Sequence, residues 1–253
     1  MRIRVYDNAV ALSRDAAADA AHVLRETIAA RGGARLIAAT GTSQIAFLEA
    51  LCAESSIAWD RVELFHLDEY LDLPPNHPAS FVRFLHERLI DRVGIRRAHM
   101  LDAASGDPGE VIRRVSAELG KAPIELAFVG IGENAHLAFN DPPADLETTR
   151  PFLVVELDEA CRRQQVGEGW FRDVTDVPKR AITMSVHEIL QARQILCLAS
   201  GARKRQAVAD SFGDEGISAM VPASALRQHA RTTIYLDRDA AAGLTPDQLS
   251  RWA

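Results

Sequence analysis

Hydrophobic residues along the chain alternate between short aliphatic or β-branched runs and longer stretches with apolar side chains at helical spacing. Most of the short runs are too continuously apolar for a strand that has one face in water. They therefore favour buried parallel strands covered by helices on both faces. This alternation is typical of βαβ units and predicts an α/β fold with a mostly parallel, doubly wound sheet.

The elements follow directly from this pattern. Strands are predicted at residues 3–6, 35–39, 62–67, 124–130, 152–157, 181–186, 195–199 and 232–236. Helices are predicted at residues 9–31, 43–53, 80–92, 109–119, 159–166, 187–192, 204–212 and 222–229. No repeat and no Pro-, Gly- or Ser-rich linker divides the chain, so we expect one Rossmann-like domain over residues 1–253.

Composition and charge narrow the classes of function. The apolar fraction of 47% and the charged fraction of 25% are those of a globular protein. A net charge of −6 lacks the basic excess that nucleic-acid binding demands, so no nucleic-acid partner is expected. Three separated cysteines without C-x-x-C spacing predict a reducing, cytoplasmic setting with neither disulfides nor structural zinc. No apolar run is long enough for a membrane helix or a signal peptide.

Three loops carry most of the chemically useful side chains, and each follows a predicted strand. They are residues 40–43, 66–70 and 130–142. Loops that leave the carboxyl ends of parallel strands meet at one edge of the sheet, where ligands bind. We therefore expect one shared site.

Two segments are candidates for binding an anion. Thr40, Gly41, Thr42 and Ser43 join a strand to a helix, where a phosphate would meet the positive end of the helix dipole. A plain N-cap by Thr42 or Ser43 explains the same residues equally well. Lys204 stands in the first turn of another predicted helix, where a cation opposes the dipole unless an anion lies nearby. A solvated lysine is the alternative.

The Asp68-Glu69 pair directly follows an apolar strand. A carboxylate that is partly desolvated at a sheet edge has its pKa raised, which suits it to take a proton from a carbon next to a carbonyl. A solvated turn is the alternative interpretation.

The third loop is the most informative. Gly130-x-Gly132-x-x-Ala135 formally matches a dinucleotide fingerprint, but that fingerprint must open a helix, and Pro142 follows too soon. We therefore expect no nicotinamide cofactor. Asn134, His136 and Asp141 are spaced to place an imidazole beside an amide and a carboxylate, which orients a histidine for acid/base chemistry. A purely structural histidine is the alternative. No metal-binding spacing is present.

Together these segments resemble the glucosamine-6-phosphate deaminase family, within a wider group that includes the 6-phosphogluconolactonases. The resemblance spans nearly the whole chain. It rests on Thr40-Gly41-Thr42, on Leu67-Asp68-Glu69-Tyr70 with the following His77-Pro78-x-Ser80-Phe81, on residues 130–142 and on Gly201-x-x-Lys204.

The resemblance implies a cofactor-free conversion of an amino sugar 6-phosphate to fructose 6-phosphate with loss of ammonia. It implies that Asp68 moves the C2 proton, that His136 opens the sugar ring and that Asp141 holds His136. It also implies a substrate-binding set. This set consists of Thr40, Gly41, Thr42, Ser43, Glu69 and Lys204.

The chain departs from the family pattern at two places. Asn134 stands where the deaminases commonly have aspartate, so slower ring opening, or a substrate that arrives already open, is expected. Gly169 stands where they often have a phosphate-binding arginine, and Arg163 or Arg172 is the candidate replacement. The alternatives to a deaminase are a sugar-phosphate lactonase and a non-catalytic sugar-phosphate sensor. The sequence leaves the oligomeric state open and is compatible with a homo-oligomer.

Overall fold

Ten strands make up the two sheets of the computed structural model, which describes residues 1–74, 76–102 and 106–252. In chain order they are β1 (Arg2–Tyr6), β2 (Ala34–Ala38), β3 (Val62–His66), β4 (Asp68–Tyr70), β5 (Arg97–His99), β6 (Leu126–Gly130), β7 (Phe152–Glu156), β8 (Arg180–Met184), β9 (Gln194–Ala199) and β10 (Thr232–Asp237).

Seven of these strands form the central sheet, in the order β1-β10-β9-β6-β2-β3-β5. Every pair of neighbours in it is parallel, which confirms the predicted architecture. From β2 the chain adds β3 and β5 on one side, and from β6 it adds β9 and β10 on the other. The strand order therefore reverses between β2 and β6. In open parallel sheets a ligand crevice lies at such a point, beyond the carboxyl ends of the strands.

In chain order the α-helices are α1 (Ala9–Arg31), α2 (Thr42–Ala53), α3 (Phe81–Leu85), α4 (Asp91–Val93), α5 (Pro108–Leu119), α6 (Glu159–Gly167), α7 (Val186–Leu190), α8 (Arg205–Phe212), α9 (Arg238–Ala241) and α10 (Pro246–Ser250). The first eight lie within or close to predicted helices, whereas α9 and α10 were not predicted from the sequence. A π-helical turn, His86–Ile90, joins α3 to α4, and 3-10 turns lie at Trp59–Arg61, Ala202–Lys204 and Pro222–Gln228. Within the described ranges, no helix has both the length and the apolar run needed to cross a bilayer.

Successive side chains of the central strands enter two different cores. On β2, Leu36 packs into a core with α1 and α2, whereas Ile37 packs into a core with α5, α7 and α8. Phe128 and Val129 on β6 divide in the same way. Because both faces of β2, β6 and β9 are covered, these strands are buried along almost their whole length and are mostly apolar, which explains the runs seen in the sequence.

The remaining three strands form a small antiparallel sheet in the order β4-β8-β7. The predicted strands at residues 152–157 and 181–186 therefore lie outside the parallel sheet. On β7 only Phe152 is buried, and the next four positions alternate between half-buried and exposed, as in an antiparallel strand with one face in water. This sheet carries Asp68 and Glu69, which lie on β4 rather than in a solvated turn.

The predicted helix at residues 222–229 is wound as a 3-10 helix over Pro222–Gln228. Its first five residues, from Pro222 to Leu226, are all buried, so it lacks the single apolar stripe of an α-helix on a surface. Strands β4 and β5 were not predicted as strands. Each has only three residues, and both contain charged or titratable side chains, so neither produces a hydrophobic run.

Candidate active site

A cleft opens at the carboxyl ends of the strands where the strand order reverses. Its walls come from the segments after β2, β3, β6 and β9 and from α6. Seven of the ten predicted site residues line it: Thr40, Gly41, Thr42, Ser43, Asp68, His136 and Lys204. The other three, Glu69, Asn134 and Asp141, lie behind the lining and contact residues around it. Segments far apart in the sequence thus meet in one place.

The start of α2 forms one end of the cleft. Gly41 precedes the helix with φ of +98°, a backbone conformation that favours glycine. No side chain caps the first turn, so neither Thr42 nor Ser43 fills the N-cap role that the sequence left as an alternative. The N–H groups of a helix start carry partial positive charge, and without a capping side chain they remain available to an anion.

Lys204 lines the same cleft. It ends the 3-10 turn that follows Gly201, and it is only 9% exposed. Among the described residues its ammonium nitrogen forms neither a hydrogen bond nor an ion pair. Burial lowers the pKa of Lys204, and the carboxylates of Glu168 and Glu133 counteract that effect from a distance. A buried cation without a partner is costly unless a ligand supplies the opposite charge.

Asp68 lies deeper in the cleft, on the short strand β4, and is 5% exposed. Its Oδ1 atom is buried and has no hydrogen-bond partner in the described part of the chain. Burial raises the pKa of Asp68 well above its usual range, and the neighbouring Glu69 carboxylate raises it further. The result is a carboxyl group with a strong affinity for a proton, facing an open cleft.

Glu69 points away from the cleft and caps α3. It accepts hydrogen bonds from the Val82 N–H at 2.7 Å, the Ser80 hydroxyl at 3.0 Å and its neighbour Tyr70's N–H at 2.9 Å. Burial raises the pKa of Glu69 to about 7, although these hydrogen bonds oppose the shift. Its contacts fix β4 against α3, and β4 carries Asp68.

His136 is fixed by a small polar network. Its Nδ1 lies 3.0 Å from the Asp141 carboxylate, and Asn134 donates to that carboxylate and to Asp158, both at 3.1 Å. Burial would raise the pKa of Asp141, but the hydrogen bonds from His136 and Asn134 outweigh it and lower the pKa. The second ring nitrogen of His136, Nε2, makes no hydrogen bond among the described residues, and the His136 ring lines the cleft.

The loop that carries His136 depends on Gly132. A Cβ atom on Gly132 would lie 2.3 Å from the His136 ring, so only glycine leaves room for the imidazole. The Gly132 N–H donates to the His136 carbonyl at 3.0 Å, and Ala135 between them has φ of +65°. A non-glycine residue in this conformation stores strain, which is common in functional loops.

Helix α6 contributes a wall that the sequence did not predict. Gln164, Gln165 and Glu168 line the cleft next to Lys204. Arg163 and Arg172, the candidate replacements for the family's arginine, are both exposed and do not line the cleft. Neither fills that role. A Gln-Gln-x-x-Glu sequence is typical of a solvated helix face, so no local pattern indicates that this face closes a cleft.

His136, Asp141 and Cys161 each place one ligand-type atom within 4.8 Å of the others. The imidazole Nδ1 is already bonded to Asp141. Burial raises the pKa of the Cys161 thiol well above its usual range, with further contributions from Asp141 and Asp158. Because a thiol binds metal only after losing its proton, this group is better suited to hydrogen bonding than to holding a metal ion.

Comparison with known proteins agrees with this geometry. A model of the family described as glucosamine-6-phosphate isomerases/6-phosphogluconolactonase matches residues 7–235. A glucosamine-6-phosphate deaminase of an Exiguobacterium species is 33% identical over 230 residues, covering 90% of this chain and 88% of the relative. Another, from Bacillus cereus, is 32% identical over 218 residues, covering 86% and 81%.

Solved structures show the same fold. A monomeric glucosamine-6-phosphate deaminase superposes with a TM-score of 0.86 at 28% identity, covering 96% of this chain and 100% of the other. A 6-phosphogluconolactonase from Shewanella baltica has a TM-score of 0.77 at 21% identity, covering 94% and 97%, which is a likeness of fold alone. The chain therefore belongs to the glucosamine-6-phosphate isomerase/6-phosphogluconolactonase family.

Proposed function

We propose that this protein catalyses the cofactor-independent, isomerising deamination of an amino sugar 6-phosphate, converting glucosamine 6-phosphate and water to fructose 6-phosphate and ammonia. One observation carries the proposal. The buried carboxyl of Asp68, with its unpartnered Oδ1, lines the same cleft as His136 and Lys204. Lactone hydrolysis needs no carbon base, whereas moving a proton between two carbons does.

The phosphate binds at the Lys204 end in this proposal. The Lys204 ammonium supplies the positive charge, and the uncapped first turn of α2 supplies N–H donors next to the hydroxyls of Thr42 and Ser43. A helix start and a buried cation are the usual partners of a phosphate group. Binding there would direct the sugar toward Asp68 and His136.

His136 acts first, on the ring oxygen. Its Nδ1 is held by Asp141, so Nε2 is the atom that takes the proton of the C1 hydroxyl and delivers it to the ring oxygen. The C1–O5 bond breaks, and the open-chain aldehyde forms. The Asp141 carboxylate stabilises the histidine when it carries its extra proton, as an adjacent carboxylate does in other acid/base pairs.

Asp68 then transfers the proton that converts the aldose into the ketose. Its carboxylate removes the proton from C2 while the substrate's ammonium group passes a proton to the C1 oxygen, which gives an enolamine with a C1–C2 double bond. Return of the proton to C1 gives an imine at C2. Water adds to this imine, and the C2–N bond breaks to release ammonia and fructose 6-phosphate. The raised pKa of Asp68 makes it the stronger base that this step requires.

The direct test is to incubate the protein with glucosamine 6-phosphate and to measure ammonia and fructose 6-phosphate together. Both should appear in equal amounts without added metal or cofactor, and Asp68→Asn should remove nearly all of this activity. Hydrolysis of 6-phosphogluconolactone that survives Asp68→Asn, with no ammonia release, would instead identify a lactonase. Calorimetric binding without turnover of any hexosamine 6-phosphate would identify a sensor.

The proposal also covers partners and location. No step of the proposed mechanism uses a residue of a second copy of the chain, so the homo-oligomer that the sequence leaves open is not part of the proposal. Cys52, Cys161 and Cys197 are all free thiols, which supports a cytoplasmic location. The acidic net charge supports a small sugar phosphate, rather than nucleic acid, as the binding partner. Sedimentation of the protein with and without substrate would test the first point.

A further inference from the structure

The side chain of Asn134 lies between two carboxylates. Its amide nitrogen donates to Oδ1 of Asp141 and to Oδ2 of Asp158, both at 3.1 Å. Its amide oxygen accepts the backbone N–H of His136 at 3.2 Å. An ionised carboxylate can only accept hydrogen bonds and a backbone N–H can only donate one, so these contacts define which way round the amide lies. Asn134 is therefore held in one orientation.

Asp158 also contacts Asp141 directly. Its backbone N–H donates to Oδ2 of Asp141 at 3.1 Å, while the Nδ1 atom of His136 lies 3.0 Å from Oδ1. Asp158 thus acts on one oxygen of Asp141 through its backbone and on the other through the Asn134 amide. Because the Asp141 carboxylate cannot rotate without losing one of these contacts, its direction toward His136 is fixed.

The two carboxylate oxygens of Asp158 have different partners. Oδ1 accepts the backbone N–H of Cys161 and so caps the start of α6, whereas Oδ2 accepts the hydrogen bond from Asn134. Capping needs only one acceptor oxygen, and asparagine supplies it about as well as aspartate does. The helix therefore accounts for one oxygen of Asp158 and leaves the contact of the other with Asn134 unexplained.

We propose that Asp158 is a positioning residue for opening of the sugar ring, because it holds Asn134 in the orientation that directs the Asp141 carboxylate at His136. Asp158 acts through these side chains and is not among the residues that line the cleft in the described part of the chain. The inference rests on the proposed function, since it takes His136 as the group that opens the ring.

The first test is Asp158→Asn, which keeps the size of the side chain but leaves it one acceptor oxygen. If that oxygen caps α6, the new NH2 group faces the NH2 group of Asn134, and if the amide turns round, the cap is lost. The kcat for ammonia release should fall about tenfold, which is what one lost hydrogen bond to a charged group amounts to. KM should stay within about twofold, because the phosphate end of the cleft is unchanged. Asp107→Asn, at the N-cap of α5, is the matched control and should change neither constant.

The second test reverses the polarity of the contact. Asn134→Asp places a carboxylate against those of Asp141 and Asp158, and this repulsion should lower kcat further than Asp158→Asn does. Adding Asp158→Asn to that variant supplies an N–H donor to the new carboxylate while its oxygen still caps α6. The double variant should therefore recover about tenfold in kcat relative to Asn134→Asp. A residue that only capped the helix would not make the same substitution harmful alone and helpful in combination.

The same four proteins are compared by urea denaturation at pH 8, which needs no activity. The free energy of unfolding should show the same reversal of sign. A double variant whose kcat falls by the product of the two single losses would overturn the inference, whatever the urea data show. Ammonia release by the wild type together with that outcome would leave the deaminase and remove the role of Asp158. A reversal in the unfolding data without ammonia release by the wild type would leave the contact between Asn134 and Asp158 and remove the deaminase.

Discussion

The two edges of the central sheet differ in whether their buried charged side chains have partners within the protein. At the amino ends of the strands, Arg35 pairs with Glu63 at 3.0 Å and also donates to the Leu119 carbonyl at 3.0 Å. Nearby, the Glu125 carboxylate accepts the Arg35 N–H at 2.9 Å and pairs with Arg31 at 3.0 Å. Each of these charges has its partner within the described chain.

At the carboxyl ends, two buried groups in the cleft lack such partners, although Asp141 and Glu69 nearby have theirs. Lys204 forms no ion pair among the described residues, and Asp68 leaves a buried oxygen without a hydrogen bond. Such groups reduce stability in the free protein, so their presence on one edge only indicates a site that a ligand completes. Removing a charged side chain from the amino edge should therefore destabilise the fold, whereas removing an unpaired one from the carboxyl edge should lower activity.

The largest effect on stability is expected for Arg35→Met. This change leaves the Glu63 carboxylate and several carbonyl groups without their buried partner, which should lower the free energy of unfolding by about 3–5 kcal/mol. Urea denaturation measures it. The exposed Arg25–Glu54 pair provides the control, since Arg25→Met should cost under about 1 kcal/mol. Ammonia release per folded molecule should stay at the wild-type value, and a large loss there would break the comparison.

Gly132→Ala tests whether activity depends on the position of the His136 imidazole. The added Cβ would displace the His136 ring, and a shift of about 1 Å can cost 10²-fold in rate, or about 2.7 kcal/mol. We expect that loss in kcat for ammonia release. Gly216→Ala adds a Cβ with nothing within 4 Å and should be neutral. A Gly132 variant with wild-type kcat would show that the ring position is unimportant.

Lys204→Gln should weaken substrate binding without lowering the free energy of unfolding. Losing a hydrogen bond to a charged ligand is worth roughly 1.5–3 kcal/mol, so KM for glucosamine 6-phosphate should rise about 10–100-fold. The free energy of unfolding should hold or increase, because a buried cation without a partner has been removed. Lys121→Gln, at an exposed pair with Glu118, is the control for losing a lysine. An unstable Lys204 variant with normal KM would contradict this account.

The smallest expected effect is on how the free energy of unfolding depends on pH, which should have opposite signs for Asp68 and Asp141. The folded-state pKa of Asp68 is raised, so its contribution to stability is present below its ordinary value of 3.8 and is lost as the pH rises. Asp68→Asn should therefore gain stability relative to wild type as the pH rises from 4 to 8.

Asp141 should behave in the opposite way, because its folded-state pKa is lowered by His136 and Asn134 in spite of burial. Its contribution is present above 3.8 and is lost as the pH falls through the lowered value. Asp141→Asn should therefore be destabilised at pH 8 and approach wild type as the pH falls below 4. Urea midpoints at both pH values measure the two variants, and slopes of the same sign would remove the distinction between a paired and an unpaired carboxylate.

Much of the fold could be predicted from the sequence, because each central strand is buried on both faces and so produces a continuous apolar run. The antiparallel pairing of β7 and β8 could not, since the partner of a strand depends on distant contacts. Strand β5, Arg97–His99, carries no hydrophobic signal at all and is defined by its register with β3.

Some residues of the site could likewise be predicted from the sequence, and others could not. Thr40–Ser43, Asp68 and His136 each follow a strand, so their meeting follows from the rule that parallel strands end at one edge. Glu168 could not be predicted, because its place in the cleft depends on where α6 packs after the small sheet has formed. Gly132 belongs to a motif that can be seen in the sequence, but only the structure shows why glycine is required there. The His136 ring occupies the space that a Cβ atom would fill.

The most direct test of the central claim measures activity and stability on one preparation of Asp68→Asn at pH 8. The account predicts that ammonia release from glucosamine 6-phosphate falls by about 10²–10⁴-fold, the usual contribution of a general base, while the free energy of unfolding is unchanged or higher. A variant that keeps its ammonia release, or one that loses activity only because it unfolds, would contradict the claim that this unpaired carboxyl serves catalysis.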